Sequence, residues 1–140
     1  MKYRLLLADD HVVVMEGLQR LLTRPEFEIV GAVHDGQALV EAAEILHPDV
    51  IVADISMPLL NGVEAVARIR EKDKQVRIIF LTMHPEVSYA VQAMRAGAAG
   101  YVIKHAAGRE LFEAIIAVMG GGTYLPASLR EPVQRALGTK

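Results

Sequence analysis

Val50-Ile51-Val52-Ala53-Asp54, set beside Leu5-Leu6-Leu7-Ala8-Asp9-Asp10, decides the fold. Each stretch is a short apolar run ending in aspartate. A run of this length, rich in β-branched residues or Leu and apolar on both faces, reads as a strand buried on both sides. Three more runs have the same texture: Phe27–Val33, Val76–Leu81 and Ala99–Ile103; the first strand begins at Tyr3. Between the runs lie helical stretches, roughly Val12–Thr23, Gln37–Leu46, Val63–Lys72, Glu86–Ala96 and Arg109–Met119. Pro25 and Pro48 punctuate them, Gly97 falls where a left-handed helix end is expected, and Gly108 falls just before the last helix.

Five β-α units with strands apolar on both faces imply an α/β fold with a parallel, doubly wound sheet. Right-handed crossovers leave few topologies, and the strand order 2-1-3-4-5 is the expected one. Its switch point lies between strands 1 and 3. Ligands in such sheets bind beyond the carboxyl ends of the strands flanking that point.

The chain of 140 residues is the size of one ordinary domain. Apolar residues make up 52% and charged residues 23%, a globular composition. Cysteine is absent, which excludes disulfides, thiolate zinc sites and a cysteine nucleophile. No basic, apolar leader follows Met1 and no run is long enough to span a bilayer, so a cytoplasmic protein without membrane contact is expected. The net charge is −2 with Lys and Arg scattered, so these residues are not expected to grip nucleic acid themselves. Residues 1–120 form the expected domain. After Gly120-Gly121-Gly122, residues 121–140 read as a linker or short arm, with Pro126, Pro132 and a weak helical pattern of Leu129, Val133 and Leu137.

Asp9 and Asp10 follow strand 1, and Asp54 follows strand 3, so three carboxylates converge on the switch point. Packed like charges repel and need a compensating partner. A hard dication with oxygen ligands supplies it, and magnesium suits a few carboxylates, retained waters and phosphate oxygens. Thr82 and Lys104 end strands 4 and 5. A metal, a lysine and a hydroxyl around one carboxylate can neutralise the equatorial oxygens of a phosphoryl group in transit. Asp54 is the natural nucleophile, since aspartate forms acyl-phosphates. The plain alternative is that Asp10 caps a helix and the others are turn residues.

Taken in order, Leu6-Leu7-Ala8-Asp9-Asp10-His11, residues 49–58 with Asn61-Gly62, Ile79-Phe80-Leu81-Thr82 and Gly97-Ala98-Ala99-Gly100-Tyr101-Val102-Ile103-Lys104 resemble the receiver domain of a two-component response regulator. The resemblance covers about residues 1–120. It implies that Asp54 is the phosphoacceptor, with Mg2+ held by Asp10 and Asp54 directly, by Asp9 through water, and by the backbone carbonyl of Ser56. It implies that Thr82 and Lys104 contact the phosphoryl oxygens and that Tyr101 is a switch aromatic turning inward as Thr82 moves. Leu81-Thr82-Met83-His84 and residues 121–126 are similar to the NarL/FixJ (LuxR-type) regulators, which carry a helix-turn-helix domain after the receiver. The implied partners are a sensor histidine kinase, a second copy on phosphorylation, and DNA only through that further domain. A stand-alone receiver acting by protein contact is the alternative. Receivers follow the lysine with a cis proline; here His105 follows Lys104, so the loop is expected either to carry strain or to differ.

Ser56 and His84 each lie two residues past a site residue and are expected to tune dephosphorylation. Ser56 also argues against an aspartate-nucleophile phosphatase, which needs a second acid there; no external substrate is expected. The intact set Asp9, Asp10, Asp54, Thr82 and Lys104 argues against a pseudo-receiver. His11, His84 and His105 share the rim, but no pair has i, i+4 spacing, so zinc is set aside in favour of magnesium. His34 and His47 read as surface residues. Gly31 and Gly36 lack the spacing of a dinucleotide loop. The apolar arc of the last helix reads as core, with Phe112 or Ile116 as a candidate extension towards a dimer face.

Overall fold

The computed structural model describes residues Lys2–Gly138. Five parallel strands, β1 (Tyr3–Ala8), β2 (Phe27–Val33), β3 (Val50–Ala53), β4 (Arg77–Thr82) and β5 (Gly100–Ile103), form one sheet in the order β2-β1-β3-β4-β5. The helices are α1 (Val12–Leu21), α2 (Gly36–Leu46), α3 (Gly62–Lys72), α4 (Val87–Arg95), α5 (Ala107–Met119) and α6 (Ala127–Gly138). The expected topology is the observed one.

Alternation along the strands divides the core in two. Leu6, Ala8, Ile51, Ala53, Ile78, Phe80, Tyr101 and Ile103 face one side, where Leu39 of α2, Val66 and Ile69 of α3 and Ala90 of α4 complete the packing. Leu5, Leu7, Val50, Val52, Ile79, Leu81 and Val102 face the other, against Met15 and Leu18 of α1 and Leu111, Ile115 and Val118 of α5. The central strands are therefore apolar throughout, as a sheet covered on both faces requires.

Local chemistry sets the helix starts. Asp35 caps α2 by accepting from the Ala38 N–H at 2.7 Å. Asn61 caps α3 by accepting from the Glu64 N–H at 2.9 Å, and its amide reaches the Glu64 carboxylate at 2.8 Å. Two glycines let the loop after β3 approach the body. A Cβ on Gly36 would lie 1.7 Å from the Leu60 carbonyl oxygen, and one on Gly62 would lie 2.4 Å from that of Asp54. Gly97 ends α4 with φ +106°, the left-handed position anticipated for it.

Two stretches differ from expectation. Lys104–Ala106 form a turn of 3-10 helix that runs straight into α5, so α5 starts at Ala107 and Gly108 lies in its first turn. No cis peptide occurs among the described residues, so the loop after Lys104 differs from the proline-containing one. The weak pattern after residue 121 folds into α6. Tyr124 bridges to Gly100 beside β5, and Leu125, Leu129 and Val133 are buried in the α4 side of the core. Pro132 sits inside α6 and removes one helical hydrogen bond, which is why the sequence alone reads weakly there. No helix among the described residues is long and apolar enough to cross a membrane.

Candidate phosphorylation site

The register of β1 against β3 places Ala8 beside Ala53, so the next residues of each strand, Asp9 and Asp54, leave the sheet together. The Asp54 N–H donates to the Ala8 carbonyl at 2.9 Å and continues the ladder by one bond. Both carboxylates are sequestered: Asp9 is 0% and Asp54 3% exposed. Asp10 is exposed at the rim. Asp9, Asp10, His11 and Asp54 each offer a ligand atom, all within 4.8 Å of one another. This cluster is compatible with Mg2+, which favours carboxylate oxygen and a site open to retained water.

Lys104 reaches the cluster from the end of β5. Its Nζ lies 3.0 Å from Asp54 Oδ2 and 2.9 Å from Asp9 Oδ2. Both contacts pair the ammonium with a buried carboxylate oxygen. The Ser56 N–H donates to Asp54 Oδ1 at 3.2 Å, while the Ser56 residue itself is exposed. Burial pushes the Asp54 carboxyl above the usual carboxylate range, the Lys104 ammonium offsets part of that rise, and the Asp9 charge adds to it. For Lys104, burial disfavours the ammonium, but Asp9 and Asp54 outweigh it and hold the pKa above the ordinary lysine value.

Thr82 ends β4, fully buried, with its hydroxyl accepting from the His84 N–H at 3.2 Å. The same His84 residue accepts at its carbonyl from the Tyr101 hydroxyl at 2.7 Å. Tyr101 thus stands inward, 0% exposed, and burial holds its phenol well above the usual tyrosine range. The His84 ring stacks on Tyr89 at 4.1 Å, with Nδ1 3.8 Å from Glu86. Its recorded side-chain partners are therefore residues of the α4 region. Phe112 packs against Phe27 at 5.6 Å beneath the Arg24 guanidinium, which leaves Ile116, 40% exposed, as the open end of the α5 arc.

All five residues marked by their strand ends, Asp9, Asp10, Asp54, Thr82 and Lys104, lie on this rim. Of the three rim histidines, the carboxylate cluster takes in His11 and neither His84 nor His105. The signal for His11 was its place directly after the paired aspartates.

A family model described as the response regulator receiver domain matches residues 5–116. The chain is 38% identical over 125 residues to the transcriptional regulatory protein DegU of Brevibacillus brevis, covering 89% of this chain and 53% of DegU. It is 36% identical over 127 residues to the response regulator UvrY of Escherichia coli, covering 90% of this chain and 58% of UvrY. It therefore spans a little over half the length of these relatives. A solved LuxR-family two-component response regulator from Aurantimonas superposes with a TM-score of 0.90 at 33% identity, covering 98% of this chain and 99% of that one. The isolated receiver domain of RcsB from Salmonella enterica, in the presence of the phosphomimetic BeF3-, superposes with a TM-score of 0.85 at 26% identity, over 93% of this chain and 97% of that one. With the sheet order, the rim of carboxylates and the matched length in agreement, this chain belongs to the response regulator receiver domain family.

Proposed function

We propose that this receiver accepts a phosphoryl group on Asp54 from a sensor histidine kinase and thereby controls transcription through a DNA-binding domain outside these residues. The observation that carries the reading is the state of Asp54, a buried carboxylate paired with a lysine at the sheet's switch point. An Asp54 oxygen attacks phosphorus, the P–N bond to the donor imidazole breaks, and the imidazole nitrogen keeps the electron pair. Asp9, Asp10, Asp54 and the Ser56 backbone carbonyl would hold Mg2+. Bound there, the ion would supply charge compensation for the phosphoryl oxygens. Lys104 Nζ and the Thr82 hydroxyl take the remaining oxygens.

The chain's catalysis is confined to its own phosphorylation and dephosphorylation. Water releases the phosphate from the acyl-phosphate, and Ser56 and His84 set how readily it arrives. The phosphorylated form engages Thr82, draws on Tyr101 and favours a homodimer. The names of DegU and UvrY support the regulatory reading.

Acetyl phosphate with magnesium should add one phosphoryl group per chain, read by intact mass. Asp54→Ala should abolish the addition while circular dichroism stays unchanged. One acid-labile phosphate gained by Asp54→Ala at the wild-type rate would overturn the assignment.

A further inference from the structure

His11 joins the carboxylate cluster without a second histidine. Its Nδ1 lies 2.9 Å from Asp9 Oδ1, 3.3 Å from Asp10 Oδ1 and 4.0 Å from Asp54 Oδ2. We infer that His11 supplies a nitrogen ligand to the cation site of Asp9, Asp10 and Asp54, so that the site takes a transition dication such as nickel or zinc more tightly than magnesium. The inference rests on the proposed cation site and adds to it a ligand and a metal preference.

The spacing supports a shared cation. With octahedral bonds of about 2.0–2.1 Å, neighbouring ligand atoms stand roughly 3 Å apart and opposite ones roughly 4 Å. The three distances from His11 Nδ1 span that range; without a metal the shortest is a hydrogen bond from Nδ1–H to Asp9 Oδ1, and ligation would move the imidazole proton to Nε2. Surface carboxylates alone would not make such a site. Here Asp9 is wholly buried. The compensating charge in the structure is Lys104 Nζ, which lies 2.9 Å from Asp9 Oδ2, 3.0 Å from Asp54 Oδ2 and 3.3 Å from His11 Nδ1. One cation thus already touches both buried carboxylates and the imidazole. The His11 backbone is held in place by its N–H, which donates to Asp9 Oδ1 at 2.9 Å.

The chemistry of the donor set decides which dication gains. Magnesium prefers oxygen and keeps its waters, so an imidazole adds little to its binding. Nickel and zinc accept imidazole readily and stand above magnesium for mixed nitrogen and oxygen sites. His11 should therefore change the ranking of metals at the site while leaving the magnesium affinity near its value without the histidine.

Calorimetric titration of the full chain with magnesium and with nickel tests this. Wild type should bind nickel at least about tenfold more tightly than magnesium. His11→Ala should lose about tenfold or more in nickel affinity and keep its magnesium affinity within about twofold. His11 is exposed, so the variant should fold as wild type does, checked by circular dichroism. Asp54→Asn should weaken both metals. Nickel affinity unchanged in His11→Ala, or an equal loss for both metals, overturns the inference while leaving the receiver reading intact. Failure of wild type to bind magnesium would instead overturn the cation site, and this inference with it.

Discussion

The carboxyl rim of the sheet and the flank built by residues 121–138 are made of opposite materials. At the rim two carboxylates are buried with a single lysine between them. At the flank the backbone groups are paired. The Tyr101 N–H donates to the Tyr124 carbonyl at 3.0 Å, and the Tyr124 N–H donates to that of Ala99 at 2.9 Å, extending the sheet beyond β5 by one bridge. Leu125, Leu129 and Val133 then seal the α4 side of the core. The Tyr124 hydroxyl reaches the Glu110 carboxylate at 3.0 Å and ties the flank to α5 as well. The flank contributes stability without any ligand. The rim holds unfavourable electrostatics that Lys104 offsets only in part. Packing and buried charge are thus lodged in different parts of one small domain.

The largest test of this contrast removes packing from the flank. Leu129 is 4% exposed, so Leu129→Ala should destabilise the fold by about 2–5 kcal/mol in urea denaturation. A mere linker would show less than about 0.5 kcal/mol, the usual range for surface changes. A change that small would show that α6 is not part of the folded unit.

The rim should respond with the opposite sign. The Asp54 pKa is raised in the folded state, so its protonated form is the one that suits the fold. The favourable contribution is complete below the unfolded value of 3.8 and is lost as pH rises through the folded pKa. At neutral pH the ionised group is therefore a net cost. Asp54→Asn should raise metal-free stability by roughly 0.5–2 kcal/mol, the scale of relief at a functional site. The advantage should shrink as the pH falls towards the ordinary carboxylate range. Magnesium should reverse the order, since a ligand at about a hundred times its Kd stabilises wild type by about 2.7 kcal/mol. Equal stabilities for the two proteins across pH, with and without metal, would erase the difference between rim and flank.

The same contrast governs what could be read from the sequence. Asp9, Asp54, Thr82 and Lys104 were legible because each follows an apolar run, and the parallel topology carries strand ends to one rim. The covered faces were legible for the same reason, since alternation is hidden but apolarity is continuous. The flank was legible only in part: Leu129, Val133 and Leu137 give a helical pattern that Pro132 weakens, while the burial of Leu129 and Val133 against the domain is set by tertiary packing. The nearness of His11 to the carboxylates was legible from its place after the paired aspartates, but the turn that folds Nδ1 back over Asp9 was not. Gly62 marks another such point: its need to be glycine arises from the Asp54 carbonyl oxygen, remote in the local sequence pattern but in contact in the fold.

Tyr101 joins the two regions, and its hydroxyl carries the smallest expected effect. Its backbone belongs to the flank through Tyr124, and its hydroxyl belongs to the rim through the His84 carbonyl. The His84 N–H in turn donates to the Thr82 hydroxyl, so one peptide segment links Thr82 to the buried ring. A phosphoryl group that engages Thr82 would accept from its O–H while the hydroxyl oxygen still accepts from the His84 N–H, so a shift of Thr82 would pass through that segment to the Tyr101 bond. Tyr101→Phe removes one buried hydrogen bond and should cost only about 0.5–1.5 kcal/mol. Its effect on communication should be larger than its effect on stability. In wild type, beryllofluoride with magnesium should change amide hydrogen-exchange rates at the rim and also at Tyr124 and in α6. In Tyr101→Phe the rim should still respond, because Asp54 and Lys104 are untouched, while the change at Tyr124 and α6 should be reduced. A flank response of wild-type size in Tyr101→Phe would mean that the phenolic hydroxyl is not the link and that coupling runs through packing of the ring alone.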